Sequence, residues 1–590
     1  MISILRRLRA ERPDAGYVLP MVLGLGLVMV MIVGTALTVT LSGTQKSYTD
    51  ADWNAALAAA YAGVEDYKSR IQNDQYYKRY GNPDSPFSEG STGLSLPTGS
   101  LENPAFNIAA GQPWATVPGS DGQAQFRYEV DNSLLPSTGV IRLRVTGKVG
   151  DATRSIIADL LQSGFTDYVY YTNYEVQDPQ LTGKDSCAAY YWERPSSCEA
   201  IRFASNDNLG GKVHSNDRIM VCGSTFRGAV TTASLTNPLY AIDSGCADGK
   251  FLGGRPQKVN TIEMPPTNQE MRKEVRNDLP DEVPDPGCLY TGPTTIALNG
   301  DGTMTVYSPW TRFTNVGETK AEATNPTARC GTPGTGAGHL GDPGGARIPV
   351  LDHNLVYVQA VPTSTDTDPN AWASGTYPTD FACSGSGASQ GWTFGSWSFP
   401  YRVPNGHGTT VESTPGGSTP ASPAYGCRSG DIFVKGTLKG ALTMTSENNV
   451  YVIGDVRYSN EDEDILGLVA QNSIFIWNPV SGNSNMLSDG SRWVYASMLS
   501  LQHTIQVQNY DKGGARGTLH VVGSMAQMFR GPVGTGTATS ISTGYNKDYQ
   551  YDRKLTYMSP PKYLTPTSTS FKSTQIAGVP AAFEPNGAPR

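Results

Sequence analysis

Apolar positions along the chain fall into three regimes. Residues 17–42, YVLPMVLGLGLVMVMIVGTALTVTLS, are apolar without interruption, and no charge follows until Lys46. At ~1.5 Å rise per residue these residues make about 39 Å of helix, enough to cross a ~30 Å hydrocarbon core with some tilt. From Asp50 the text DADWNAALAAAYAGVEDYKSRI sets Trp53, Leu57, Ala60, Val64, Tyr67 and Ile71 at three- and four-residue intervals. That spacing is the stripe of an amphipathic helix, and it predicts that the helix continues past the apolar run to about residue 80, weakened near Gly34 and Ser42-Gly43. Beyond a Gly/Pro/Ser-rich stretch at 81–122 the period changes to two. Ala124–Val130, Val140–Val149 and Ala152–Leu161 read as strands, with Phe126, Tyr128 and Val130 on one face and Ile141, Leu143 and Val145 on another. The turns LPSTG and GDA between them predict a small antiparallel meander, and an unrelated three-stranded module on a stalk has the same local pattern.

The remainder has a different texture. Around residues 200–235 and 431–477, β-rich pieces of three to six residues recur every six to twelve residues, with Gly or Asn at the corners. Such short runs, carrying Val434, Leu438, Leu442, Val450, Val452 and Ile453, predict the stacked coils of a β-solenoid. A β-sandwich gives similar spacing and is the alternative. Thr294–Tyr307 reads as a hairpin about Gly300-Asp301-Gly302, and Leu355–Val361 as a further strand. Gly/Thr/Pro/Ser-rich stretches at 326–347, 363–392 and 405–424 read as surface loops. The expected division is a basic leader at 1–16, a transmembrane helix at 17–42, its amphipathic continuation at 43–82, the meander at 83–163, a solenoid-like ectodomain at 164–564 and a mobile tail at 565–590. The fold class is mainly β with a long N-terminal α-helix.

Composition agrees with a turn-rich β protein: 65 Gly and 40 Pro in 590 residues, with 17% charged. A net charge of −8, with no basic cluster after residue 12, argues against nucleic acid as a partner. Arg6, Arg7, Arg9 and Arg12 precede the apolar run and hold the N-terminus in the cytoplasm by the positive-inside rule, so the bulk is expected in the extracellular or periplasmic space. A cleaved signal peptide is the rival, but its apolar segment is shorter than this one. The eight cysteines, Cys187, Cys198, Cys222, Cys246, Cys288, Cys330, Cys383 and Cys427, form no Cys-x-x-Cys pair. In an oxidising compartment they allow up to four disulfides among 105 pairings, with Cys187–Cys198 the best single guess. Free buried thiols are the alternative.

A basic leader ending at Gly16, an aromatic Tyr17, an unbroken apolar stretch and then ALAAAYAGVEDY together resemble the N-terminus of type IV prepilin-like proteins. The likeness is strongest to minor-pilin-type assembly components of the PilX kind. It implies that a prepilin peptidase cuts between Gly16 and Tyr17, and that the partners are the membrane and other pilin-like subunits. Major subunits of the family carry a glutamate five residues after the cut, and here Met21 stands there. That carboxylate offsets a neighbour's buried ammonium, and an unpaired charge in an apolar core costs several kcal/mol. Its absence points to a fibre tip, an initiator or a simple anchor.

No catalytic constellation emerges. The acidic run Glu461-Asp462-Glu463-Asp464 reads as a solvated corner, with Ca²⁺ held by Asp462 and Asp464 as the functional alternative. His214 is a candidate to pair with Asp217, but no Gly-x-Ser-x-Gly elbow accompanies them. Tyr168, Tyr170, Tyr171 and Tyr174 could stack on a glycan, or pack into a core. The expected role is a noncovalent pilus-like assembly or surface component. A surface-anchored polysaccharide-binding or polysaccharide-degrading solenoid, with a glycan or surface ligand as partner, is the alternative.

Overall fold

The computed structural model describes residues 18–590 except 74, 92, 163, 199, 280–282, 284, 316, 318–327, 364–366, 406–407, 414–423, 538–539 and 568–570. The protein is mainly β. Its one long helix, Val18–Asn73, runs 56 residues without a break, through Gly34 and Ser42-Gly43. A short 3-10 turn, Gln75–Arg79, follows it.

From Leu57 onward the amphipathic stripe does what its spacing predicts, while its first member, Trp53, is exposed. Ala60, Val64, Tyr67 and Ile71 are buried against Phe126, Tyr128, Val130, Ile141, Leu143 and Val145 of an antiparallel sheet. Tyr67 meets Tyr128 edge-on at 5.2 Å between ring centroids. Helix and sheet approach so closely that a Cβ on Gly147 would lie 2.0 Å from the Ala56 carbonyl oxygen. Only glycine fits there.

The expected meander strands are Ala124–Asp131, Val140–Val149 and Ala152–Gln162, but the sheet has five strands. Ala115–Thr116 pairs at one edge and Phe571–Val579 at the other, all antiparallel. The last of these corrects the expectation of a mobile tail at 565–590. Phe571 is buried in the helix–sheet core, and Phe583 packs edge-on against Trp114. Arg127 donates from Nη1 to the Gly587 carbonyl at 2.9 Å and from Nη2 to the Gln112 carbonyl at 2.6 Å. Chain end and chain beginning therefore share one small domain.

The rest is built on parallel ladders. Thr294–Asn299 pairs with Ile432–Leu438, which pairs with Val450–Tyr458, which pairs with Ile474–Ile476. A second ladder runs Cys288–Thr291, Asn354–Gln359, Ala441–Ser446, Ile465–Ala470, Arg492–Val507 and Ala515–Phe529. In-register pairing stacks like on like: Ile432 over Val450 over Ile474, and Val434 over Val452 over Ile476, all buried in the main core. Residues 294–307 form the expected hairpin.

Order along the stack does not follow order along the chain. Ala515–Phe529 pairs with Ile541–Tyr551 and also with Tyr170–Tyr174, some 350 residues earlier. From there the ladders continue through Asn208–Gly210 and Val213–Ser215 to Lys250–Phe251 and Gln257–Lys258. Residues 262–279 then return along the rungs. The Ile262 carbonyl accepts from Tyr171 Oη, Asn268 Nδ2 donates to the Ser446 carbonyl, and Arg272 Nη2 donates to Gln359 Oε1.

Residues 381–399, which begin inside the loop expected at 363–392, cover part of the outer face. Phe433, Tyr451 and Phe475 form a stacked outward ladder, at 4.8 and 5.4 Å between centroids. Three short strands, Phe381–Ser384, Gly391–Phe394 and Trp397–Phe399, lay Trp392 and Phe399 over it.

Candidate assembly surface

The N-terminal half of the long helix has no such cover. From Met21 to Leu37 every described side chain is exposed, Met21 at 73% and Val28 at 47%. A Cβ built on Gly24, Gly26 or Gly34 would find nothing within 4 Å. The hydroxyls turn inward: Thr35 Oγ1 donates to the Met31 and Ile32 carbonyls, and Thr40 Oγ1 to the Ala36 carbonyl. This half is therefore apolar all round, which in a stable protein means a helix buried in something.

Across the described residues, no helix is long and apolar enough to cross a membrane. The apolar run described with its side chains is residues 21–37, about 25 Å of helix against a ~30 Å hydrocarbon core. The crossing expected for residues 17–42 is thus not reached by the described part. Gly16 and Tyr17, the expected scissile pair, lie outside the described residues.

All eight cysteines are paired: Cys187–Cys198, Cys222–Cys246, Cys288–Cys330 and Cys383–Cys427. Each bonds its nearest neighbour in sequence, and the guess at Cys187–Cys198 is among them.

The other sequence candidates are engaged locally. Asp464 is buried, accepting from the Gly440 amide at 2.7 Å and the Asn460 amide at 2.6 Å, so its carboxylate closes the corner. Asp462 is exposed, its amide held by Asn460 Oδ1. Among the described residues, no group of three His, Cys, Asp or Glu side chains is placed to hold a metal.

His214 does not pair with Asp217. Its Nδ1 meets Thr231 Oγ1 and its Nε2 meets Asn216 Oδ1, both at 2.9 Å, with Tyr171 stacked on the ring. Burial lowers its pKa to about 4, which keeps it neutral. Asp217 takes Arg194 Nη1 at 2.9 Å and the Glu175, Tyr191 and Arg218 amides. Tyr170 and Tyr171 are core side chains.

Gly147, which lets the helix seat on the sheet, is the packing position that sequence reasoning passed over. A glycine inside an otherwise alternating strand is the signal that would have found it.

No protein-family model matches the chain, and no curated protein matches it. Among solved structures it is similar to the competence-associated pilin ComZ from Thermus thermophilus, at 12% identity. The alignment covers 90% of this chain and 97% of that one, with a TM-score of 0.22. A likeness at that score carries no argument about fold or function.

Proposed function

We propose that this chain is a pilin-like assembly or surface component, held by the bare half of its N-terminal helix and displaying the parallel stack as a head. One observation carries the reading. A single helix is seated on a sheet over residues 56–71, and over residues 21–37 its side chains stand exposed, with no cover among the described residues. Twelve large apolar side chains stand exposed on that second stretch. At about 1.5 kcal/mol for covering each, they represent roughly 18 kcal/mol, more than the whole stability of an ordinary domain. The apolar helices of other subunits would cover them.

The N-terminal resemblance supports the same role and adds a processing step, cleavage between Gly16 and Tyr17 by a prepilin peptidase. Met21 presents no carboxylate to a neighbour's ammonium, which favours a tip or initiator position over the body of a fibre. The four disulfides favour an oxidising compartment outside the cytoplasm. The parallel, in-register ladders favour a β-solenoid over a β-sandwich, whose sheets are antiparallel. Intact mass and N-terminal sequencing of the chain extracted from membranes test the processing step. The expected first residue is Tyr17; an intact Met1 would remove cleavage from the account.

A further inference from the structure

Besides the Phe433–Tyr451–Phe475 ladder that residues 381–399 cover, the stack carries a second outward ladder, half-buried, over which no strand of the described chain is laid. Trp493, His520, Asp548 and Asn208 stand in register on four adjacent parallel strands. At ~4.8 Å per strand they span about 14 Å. Trp493 and His520 stack at 3.9 Å, His520 Nδ1 meets Asp548 Oδ2 at 2.8 Å, and Asn208 Nδ2 donates to Asp548 Oδ1. Gln550 Nε2 holds the same oxygen at 2.7 Å. Two residues back along the strands, Thr518 and Asn546 face each other in register. Between the two rows lies an open depression of about 390 Å³ lined by Thr518, His520, Asn546, Asp548 and Asn208.

The chemistry of this depression is specific in three ways. Its polar groups are held but not exhausted: among the described residues, the Asn546 side-chain amide, the Thr518 hydroxyl, His520 Nε2 and Trp493 Nε1 have no protein hydrogen-bond partner. Its charged side chains are engaged: Asp548 is held by His520 Nδ1, Asn208 Nδ2 and Gln550 Nε2, Lys547 pairs with the buried Asp207, and Asp455 pairs with Arg457, whose guanidinium lies over the Trp493 ring. An anionic ligand would find no free counter-ion there, since Lys547 and Arg457 are already paired. Its strands are paired on both sides, so an extended peptide has no free sheet edge to join. What remains is a grid of neutral donors and acceptors, about 4.8 Å apart across strands and about 6.7 Å along them, suited to a ligand whose surface is hydroxyl groups.

We propose that this depression binds a short stretch of a neutral polysaccharide, with Thr518, His520, Asn546 and Asp548 bonding its hydroxyls. The site lies wholly within the head and does not depend on how the helix is covered.

The test uses the full chain in a detergent without a sugar headgroup, titrated calorimetrically with hexasaccharides of glucose, xylose, mannose and N-acetylglucosamine. A uronic-acid hexamer and an extended peptide serve as the other arms. At least one neutral hexamer is expected to bind, and Thr518→Arg, which fills the depression from its rim, is expected to weaken binding at least tenfold. Asn546→Ala, which removes an amide that holds nothing in the fold, is expected to weaken it at least threefold with an unchanged melting temperature, and so decides the matter should Thr518→Arg misfold. The proposal is overturned if no neutral hexamer binds, if binding survives both variants, or if the uronic-acid hexamer or the peptide binds more tightly.

Discussion

Asp431 sits at the entrance to the strand Ile432–Leu438 with no exposed surface. Its Oδ1 accepts from Asn448 Nδ2 at 2.7 Å and from the Asn449 amide at 3.0 Å, while its Oδ2 is buried without a partner. Burial raises its pKa from 3.8 to about 7. In the unfolded chain the proton leaves near pH 4, whereas in the fold it stays until about pH 7. Between those values the folded state binds more protons, so this group's contribution to stability falls as pH rises through the window. About three pKa units at ~1.36 kcal/mol each make the swing roughly 4 kcal/mol. Asp431→Asn keeps the acceptor for Asn448 and Asn449 and cannot ionise. Urea denaturation followed by tryptophan fluorescence, at pH 4.5, 6 and 8, compares the two proteins. The variant is expected to match or fall below the wild type at pH 4.5, where its new amide N–H lacks a partner at a cost of ~1–3 kcal/mol. Between pH 4.5 and pH 8 it is expected to gain on the wild type by about 3 kcal/mol, because part of the swing already lies below pH 4.5. Parallel pH profiles would refute the reasoning.

Gly147→Leu would drive a side chain into the backbone of Ala56 and Ala60 and is expected to unseat the helix, costing more than ~3 kcal/mol and exposing residues 56–71 to protease. Removing both Cys383 and Cys427 by serine opens a loop whose ends are 44 residues apart; the chain-entropy estimate is about 4 kcal/mol, read as loss of near-ultraviolet dichroism from Trp392 and Phe399 and as new cleavage within 363–427. Deleting residues 571–590 strips an edge strand from the helix-bearing sheet and leaves Arg127 without the Gly587 carbonyl. Hydrogen exchange should then rise in Ala152–Gln162 and leave the ladder of Ile432–Leu438 unchanged.

The helix-bearing domain was legible wherever a period was long and clean. Ala60, Val64, Tyr67 and Ile71 gave the buried stripe, and the three meander strands fall within a residue or two of their expected bounds. Phe571–Val579 was not legible, because Lys572, Ser573, Thr574 and Gln575 interrupt the apolar alternation in a stretch rich in Pro and Thr. Its partner strand supplies the order that its own text lacks. Trp392 and Phe399 were lost in the same way, as single aromatics diluted by Gly and Ser. Short strands such as Val213–Ser215 and Ile474–Ile476 announced a repeating β texture, but no local signal says that Tyr171 lies beside Ala526. The second outward ladder is invisible for that reason: Asn208 and Asp548 are 340 residues apart, and only the stacking order brings them together.

The central claim is that residues 21–37 are covered by the helices of other subunits. A photo-crosslinking side chain placed at Leu27, which is 63% exposed on the bare half of the helix, tests it directly in the native envelope. The account predicts adducts with small proteins that carry an apolar N-terminal helix of their own, formed at Leu27 and absent when the same probe replaces the buried Val64. Adducts with lipid alone would contradict it.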